Sequence, residues 1–351
     1  MQGLVMRRAK GQNQDDVTGF LSRPESYGLR DGTVERVETH CSIVFLAGDR
    51  AYKLKRAIRY GDADYTALAK RHAACNAELV LNRRTAPLLY LGVVAICRAP
   101  GGALAFNGPG VALDYAVVMR RFAQEDLFDR MADEGRLTPG LMRALGGEIA
   151  QFHNQAAPRP AYGGNAAIKR AMADIGRELS RHAGLLGQTR LSLLRQSLRA
   201  ALLRVAPLLN QRRRAGKVRR CHGDLRLANI CLWQGRPTLF DAAEFSEKAG
   251  SIDILYDLAF VLMDLRLRGL EPCAAALLDA YLTHTPDEDA PALLPLFLAL
   301  RASMRAYTLA DSAGRQHSPA QAAQKRAQAQ LHLRAAIGFV HPHGEAHHAL
   351  Q

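Results

Sequence analysis

Residues 221–245 read CHGDLRLANICLWQGRPTLFDAAEF, and this stretch constrains the fold more than any other. His222, Asp224, Arg226, Asn229, Asp241 and Glu244 stand among residues with the apolar, β-branched and aromatic character of buried strand. NICLW and PTLFD flank the turn signal QGR, which predicts a short antiparallel hairpin. With Gly235 at the turn centre, Asn229 lies six residues before it and Asp241 six after. The two positions then face each other across the hairpin, give or take one residue for turn type. A carboxamide and a carboxylate converging there form an oxygen-ligand set that suits Mg²⁺, an ion that keeps several of its waters. Asp224 stands five residues before Asn229 on the incoming loop, where an acid can accept a proton from an attacking hydroxyl.

The order of elements around this hairpin predicts an α+β chain with two lobes and a cleft. Residues 1–20 read as a loose tail. Strands dominate 34–55, with AGDR turning SIVFL into AYKLK, and a helix over 64–85 stops before Pro87. YLGVVAICRA and LDYAVVMRRF are two further strands joined by a Gly-rich turn. From residue 121 helices take over, beginning with Leu141, Leu145, Ile149 and Phe152 at helical spacing. The expected division is 1–20 tail, 21–120 strand-rich N-lobe with one helix, 121–340 larger mostly helical C-lobe, and 341–351 a His-rich tail. At 351 residues and 48% hydrophobic, the chain has enough apolar material for such cores. The start lacks an apolar segment before its acids and no stretch is long enough to span a bilayer, so a cytoplasmic protein without membrane partners is expected. Six cysteines without a CxxC pair read as reduced and mostly buried thiols.

The spacing of Asp224 to Asn229, with a further acid twelve residues on at Asp241, matches the catalytic-loop pattern of protein kinases. HGDLRLAN and LFDAAEF resemble the aminoglycoside phosphotransferase-like families, kinases of small molecules. GSIDILYDLAF, THCSIVFLAGDRAYKLK, NAELVLNRRTAP and YLGVV extend that resemblance over about residues 30–310, toward bacterial members of unknown substrate that often carry a C-terminal P-loop domain. It implies a two-lobed protein-kinase-like fold and transfer of the γ-phosphate of ATP, with Mg²⁺, to an acceptor hydroxyl. By position, Lys53 is the phosphate-binding lysine, with Lys55, two residues along the same strand face, in reserve, and Glu78 is its ion-pair partner. Met119 falls near the adenine, and Asp257 braces the catalytic loop from a buried helix, ten of residues 254–265 being apolar.

The departures from the family pattern are specific. No GxGxxG precedes Lys53; the equivalent turn is THCS, whose backbone and Thr39 and Ser42 hydroxyls are left to cover phosphates. Arg226, where relatives often have His, either stabilises transition-state charge or pairs with a nearby acid. His222 orients the loop, and Glu244 is a further metal or water-shell group or a structural ion pair. GxxxxGK[ST] is missing from the sequence, so the P-loop domain of relatives is expected to be absent. A catalytically weak pseudokinase, binding nucleotide as a module, is the alternative reading. The net charge of +14 suits a neutral or anionic acceptor better than a polycation, and residues 165–215 are expected to shape its pocket. The basic run QRRRAGKVRR, 211–220, reads either as a phosphate or nucleic-acid patch or as a solvated helix end, and the lack of interleaved aromatics argues against nucleic acid.

Overall fold

The computed structural model describes residues 7–8, 14–30, 32–60, 63–244, 246–316 and 318–341. The His-rich tail beyond His341, most of residues 1–13 and Phe245 of the LFDAAEF segment lie outside the described residues. The chain forms two compact units, the first of Met1–Met131 with Ala228–Ala249, the second of Ala132–Leu227 with Gly250–Gln351. The segment carrying Asn229 and Asp241 therefore groups with the strand-rich part, not with the helical part as the linear division at residue 121 had it. The reason is packing: Cys231 of the hairpin shares a core cluster with Cys75, Leu89, Tyr90 and Val117.

In the first unit, α1 (Asp15–Leu21) precedes β1 (Glu35–Glu38), β2 (Ser42–Ala47) and β3 (Arg50–Lys55). Then come α2 (Leu68–Asn82), β4 (Tyr90–Arg98), β5 (Leu104–Phe106) and β6 (Val111–Arg120). The six strands form one antiparallel sheet in the order β1-β2-β3-β6-β4-β5. Strand alternation divides its faces. Tyr52 and Leu54 join Phe45, Ile96 and Val118 on the face that α1 covers, so Lys53 and Lys55 point to the face that α2 covers.

The first twenty residues are thus not a loose tail throughout. Val17, Phe20 and Leu21, at helical spacing, are buried in that core. Gln14, just ahead of α1, ties it down: its amide nitrogen donates to Lys55 O (2.9 Å) and Asp114 Oδ2 (2.6 Å), and its amide oxygen accepts from Ala57 N (2.7 Å). Helix α2 is also shorter than the 64–85 expected. Asp64 and Ala63 pair as strand with Ile58–Tyr60 instead, and Asp64 Oδ1 accepts from Thr66 N at 3.1 Å in the turn before the helix.

The second unit is helical: α3 (Pro139–Gln155), α4 (Gly164–Ser180), α5 (Gln188–Arg214), α6 (Ile254–Leu267), α7 (Glu271–His284), α8 (Ala290–Ala313) and α9 (Pro319–Val340). Helix α6 is buried almost all round, as its apolar run requires, and packs against α7 and α8, while α8 pairs with α9. Val218–Arg220 pairs antiparallel with Ser251–Asp253, fixing the two ends of the segment that crosses to the first unit. The basic run 211–220 is largely spent on this scaffold. Arg212 is buried against Asp253 (2.8 Å) and Asp287 (2.6 Å), and Arg219 donates to the carbonyls of His153, Asn154 and Ala156 at 2.7–3.1 Å. No described helix is long and apolar enough to cross a membrane.

Candidate active site

Helix α2 presents Arg71, Cys75, Glu78 and Asn82 as its buried stripe, spaced four, three and four residues apart. A helix face of this kind normally carries aliphatic residues; here three of the four are polar, and each has a partner. Arg71 Nε lies 2.8 Å from Asp114 Oδ1, Glu78 meets the two strand lysines, and Asn82 Oδ1 accepts from Ala242 N at 2.8 Å.

The centre of the unit is an interlocked charge cluster. Lys53 Nζ lies 2.8 Å from Glu78 Oε1 and also pairs with Asp241 Oδ1. Lys55 Nζ pairs with Glu78 Oε2 and Glu244 Oε1, and Tyr65 donates its hydroxyl to the same Glu244 oxygen at 2.8 Å. Both lysines therefore share Glu78, as their common strand face dictates, but Lys53 alone of the two is paired with Asp241. Burial alone would push these ammonium groups down; Asp241 and Glu78 hold Lys53 well above the usual lysine range, and Glu78 and Glu244 raise Lys55. Burial disfavours the Glu244 carboxylate, yet Lys55 and Lys53 together keep it below the ordinary range. Of the readings open for Glu244, the structure shows the ion pair, with Lys55.

Asn229 and Asp241 flank the hairpin of β7 (Ile230–Trp233) and β8 (Arg236–Leu239). The turn is the two residues Gln234 and Gly235, both at positive φ (51° and 78°), a type I′ turn that continues the strand twist. Trp233 consequently pairs with Arg236, and the register puts Asn229 opposite Phe240, whose N–H donates to Asn229 O at 3.0 Å. Asp241 is one residue off the facing position expected from a Gly235-centred turn. Its backbone is left-handed, φ 60°, a conformation tolerated by Asp but costing about 1–3 kcal/mol when the surroundings must enforce it. Asp241 N donates to Tyr90 Oη (3.1 Å), and Asn82 holds the next amide.

The donor chemistry fits a hard divalent cation. Two ammonium groups, Lys53 and Lys55, stand against three carboxylates, Glu78, Asp241 and Glu244, leaving one uncompensated negative charge. Asp241 is the most exposed of the three, its side chain 39% accessible, while Asn229 is buried. Asp241 and Asn229 are the oxygen donors that could hold Mg²⁺. Met119 lies in β6 beside Ala51 and Tyr90 and packs against the cluster containing Cys231. Ser42 begins β2 and is buried; the Thr39 hydroxyl, left to cover phosphates in the THCS reading, is engaged within its own turn, donating to Ser42 O and accepting from Ser42 N, both at 3.1 Å.

The second unit holds the loop of His222, Asp224 and Arg226. Buried Asp257 accepts from the backbone N–H of His222 and of Gly223, both at 2.9 Å. His153 Nε2 lies 3.2 Å from Asp257 Oδ2 and its Nδ1 3.0 Å from Tyr281 Oη, while Arg301 donates to Gly223 O at 3.3 Å. Burial opposes the Asp257 charge, but His153, His222 and Arg301 lower its carboxyl to about 2. His153, Cys221 and Asp257 bring potential ligand atoms within 4.8 Å of one another, but both imidazole nitrogens are already engaged, so the group reads as a brace.

Asp224 itself is 37% exposed and faces Arg226, whose Nε lies 3.2 Å from Asp224 Oδ2. Of the two roles open for Arg226, the structure shows the ion pair, and the acid it pairs with is Asp224. His222 Nδ1 accepts from Asp224 N at 3.3 Å, so its ring contacts the loop backbone. Desolvation disfavours the Asp224 carboxylate, yet Arg226, His222 and Arg305 leave its carboxyl below the ordinary range. Sequence reasoning missed Tyr65, Asn82, Tyr90, Asp114 and Arg301. A signal existed for Asn82 alone, the polar stripe on α2.

The model of the phosphotransferase enzyme family, APH, matches residues 92–296, more than half of the chain, and that span starts beyond Lys53 and Glu78. An uncharacterized protein of Mycobacterium tuberculosis (strain ATCC 25618 / H37Rv), Rv2004c, is 28% identical over 273 residues, 77% of this chain and 53% of the relative. The chain thus spans about half the length of the curated relatives it matches. Among solved structures, a choline/ethanolamine kinase family protein from Mesorhizobium loti is similar over 93% of this chain and 99% of its own, at 18% identity and TM-score 0.55. A thermostable mutant of aminoglycoside phosphotransferase APH(4)-Ia, in ternary complex with ADP and hygromycin B, is similar over 92% and 99%, at 13% identity and TM-score 0.51. The fold is accordingly protein-kinase-like and α+β, and the chain belongs to the phosphotransferase enzyme family, among aminoglycoside phosphotransferase-like proteins.

Proposed function

We propose that this protein transfers the γ-phosphoryl group of a nucleoside triphosphate, ATP, to a hydroxyl of a small-molecule acceptor. The observation that carries the reading is the buried Lys53–Glu78 pair, 2.8 Å apart, with Asp241 on the same ammonium. No structural need of a sheet calls for two buried lysines; replacing such pairs by apolar residues is often neutral or stabilising, so their presence points to chemistry. The family membership and the nucleotide complex of a structural relative support the same reading.

In this reading Lys53, oriented by Glu78, takes phosphate oxygens of the nucleotide in place of one contact to Asp241. Asp241 and Asn229 would hold Mg²⁺, which when bound shields the negative charge of the phosphates. Asp224 accepts the acceptor's hydroxyl proton. Its carboxyl, held below the ordinary range, is ionised throughout the neutral region, and help of this kind is worth about 10²–10⁴ in rate. Asp257 and Arg301 fix the backbone on either side of Gly223, so the base is positioned from behind.

The acceptor is expected to be neutral or anionic. Choline and aminoglycosides, the acceptors named for the structural relatives, carry positive charge, and the net +14 of this chain opposes such ligands. The test is a thermal-shift titration with ATP, with and without Mg²⁺, followed by ADP release against a panel of hydroxyl acceptors. Mg²⁺-dependent stabilisation and acceptor-stimulated ADP release are expected. Nucleotide binding without turnover on any acceptor would instead favour a pseudokinase.

A further inference from the structure

The proposed transfer gives parts to Lys53, Glu78, Asn229 and Asp241 of the first unit and leaves Lys55, Glu244 and Tyr65 without one. Lys55 pairs with both Glu78 and Glu244, and its ammonium lies 5.4 Å from the centre of the Tyr65 ring. The Tyr65 hydroxyl donates to the Glu244 oxygen that Lys55 holds. The Lys55 and Glu244 side chains are 2% and 7% accessible, against 39% for Asp241. A magnesium ion that keeps several waters needs an open ligand, so Asp241 suits it and the sealed Glu244 does not. Stability alone does not account for the sealed pair, since apolar residues in its place often serve a core as well.

The segment that Glu244 belongs to gives the pair a purpose. Residues 241–244 form neither helix nor strand, and Asp241 stands at φ 60°. A non-glycine residue keeps such a backbone only where its surroundings enforce it. Ahead of it, Phe240 N donates to Asn229 O at 3.0 Å. At the strained residue, Asp241 N donates to Tyr90 Oη at 3.1 Å, and one residue on, Ala242 N donates to Asn82 Oδ1 at 2.8 Å. Three residues on, Lys55 and Tyr65 hold Glu244. Lys53 and Lys55 stand two apart on β3 and share Glu78, so one strand and one helix carboxylate govern both Asp241 and Glu244.

We infer that Lys55, Glu244 and Tyr65 are positioning residues: by anchoring the segment after Asp241 they keep its carboxylate aimed for a divalent metal, without touching that metal themselves. The inference rests on the phosphotransferase reading and adds these residues to its site. Its expectation is opposite in sign to that of charge alone. Removing the Lys55 ammonium leaves the surroundings of Asp241 more negative, and Coulomb attraction by itself then tightens the hold on a dication. If Glu244 takes up a proton in response, charge alone leaves that hold unchanged. Loss of positioning weakens it.

The experiment measures AMP-PNP binding to the full chain by calorimetry, once in EDTA and once in saturating Mg²⁺. The ratio of the two dissociation constants, compared between variants, isolates what the metal contributes. Lys55→Met is expected to lower that ratio about tenfold, the effect of losing one charge-assisted hydrogen bond, while the affinity in EDTA stays within a few-fold. Tyr65→Phe alters no charge and should lower the ratio about threefold; it carries the test if Lys55→Met does not fold. Glu244→Gln, which keeps an oxygen for both partners, should retain more of the ratio than Glu244→Ala. Without nucleotide or metal, the amides of Asp241 and Ala242 should exchange with deuterium about tenfold faster in Lys55→Met. A ratio unchanged or raised in Lys55→Met, unchanged in Tyr65→Phe, or lost equally in the two Glu244 variants overturns the positioning role. If AMP-PNP fails to bind the native chain in either condition, the phosphotransferase reading falls and the inference with it; nucleotide binding with a native ratio in the variants removes the positioning role alone.

Discussion

The two units hold their charges in opposite ways. In the first, every charge of the Lys53, Lys55, Glu78, Asp241 and Glu244 cluster touches a partner of opposite sign, and Glu78 is wholly buried. In the second, Asp224 is over a third exposed, and the rigid part lies behind it, where Asp257, His153 and Arg301 fix the backbone of His222 and Gly223. In the proposed reaction, the cluster that would hold a ligand is built into a network, whereas the group that would gain and lose a proton is left accessible and its supports are buried. The difference predicts that substitutions in the first unit act on stability and nucleotide binding together. In the second they separate, with supports affecting stability and Asp224 affecting the reaction.

The contrast is broken most strongly at Glu78. Glu78→Ala leaves two buried ammonium groups short of a counter-charge, and chemical denaturation should show a loss of about 3–5 kcal/mol. A loss below 1 kcal/mol would mean the cluster is hydrated and loosely held. Asp257 sharpens the other side through pH. Its folded carboxyl is lowered from 3.8 to about 2, so its contribution is fully present above 3.8 and is lost as pH falls through about 2. That contribution is on the order of 2 kcal/mol, and Asp257→Asn should flatten the decline of stability between pH 4 and pH 2, measured by urea unfolding. Arg226 lowers the Asp224 carboxyl, so Arg226→Gln should move the acid limb of kcat/KM to higher pH. An unmoved limb would separate Arg226 from the base. The smallest effect is expected at Tyr65, whose hydroxyl contacts Glu244: Tyr65→Phe should destabilise by about 1 kcal/mol without changing the acceptor KM.

Much of the candidate site was legible because its polar residues fall at fixed spacing within one segment. Asp224, Asn229 and Asp241 stand out in 221–245 as polar groups in strand surroundings, and the strand period places Lys53 and Lys55 on one face. What the period does not decide is which lysine meets Asp241, since that depends on where α2 lays Glu78 against the sheet. The facing position is offset by one, within the latitude left for turn type, because a two-residue turn centres between Gln234 and Gly235, and turn type follows from backbone angles more than from composition. Helix α1 was hidden for a different reason. Seven residues give too short a period to read, and the helix is held by Gln14 reaching Lys55, Ala57 and Asp114, contacts over forty or more positions along the chain. Asn82 was visible only as one member of a polar stripe, which acquires meaning once its partner, the backbone after the left-handed Asp241, is known.

The most direct test of this division compares Asp224→Asn with Asp241→Asn in one assay of Mg²⁺–ATP affinity and phosphoryl transfer. The account predicts that Asp224→Asn lowers transfer by about 10²–10⁴ while Mg²⁺–ATP affinity stays within a few-fold, and that Asp241→Asn weakens Mg²⁺–ATP binding itself. Full activity in Asp224→Asn, or equal loss of nucleotide affinity in both variants, would contradict it.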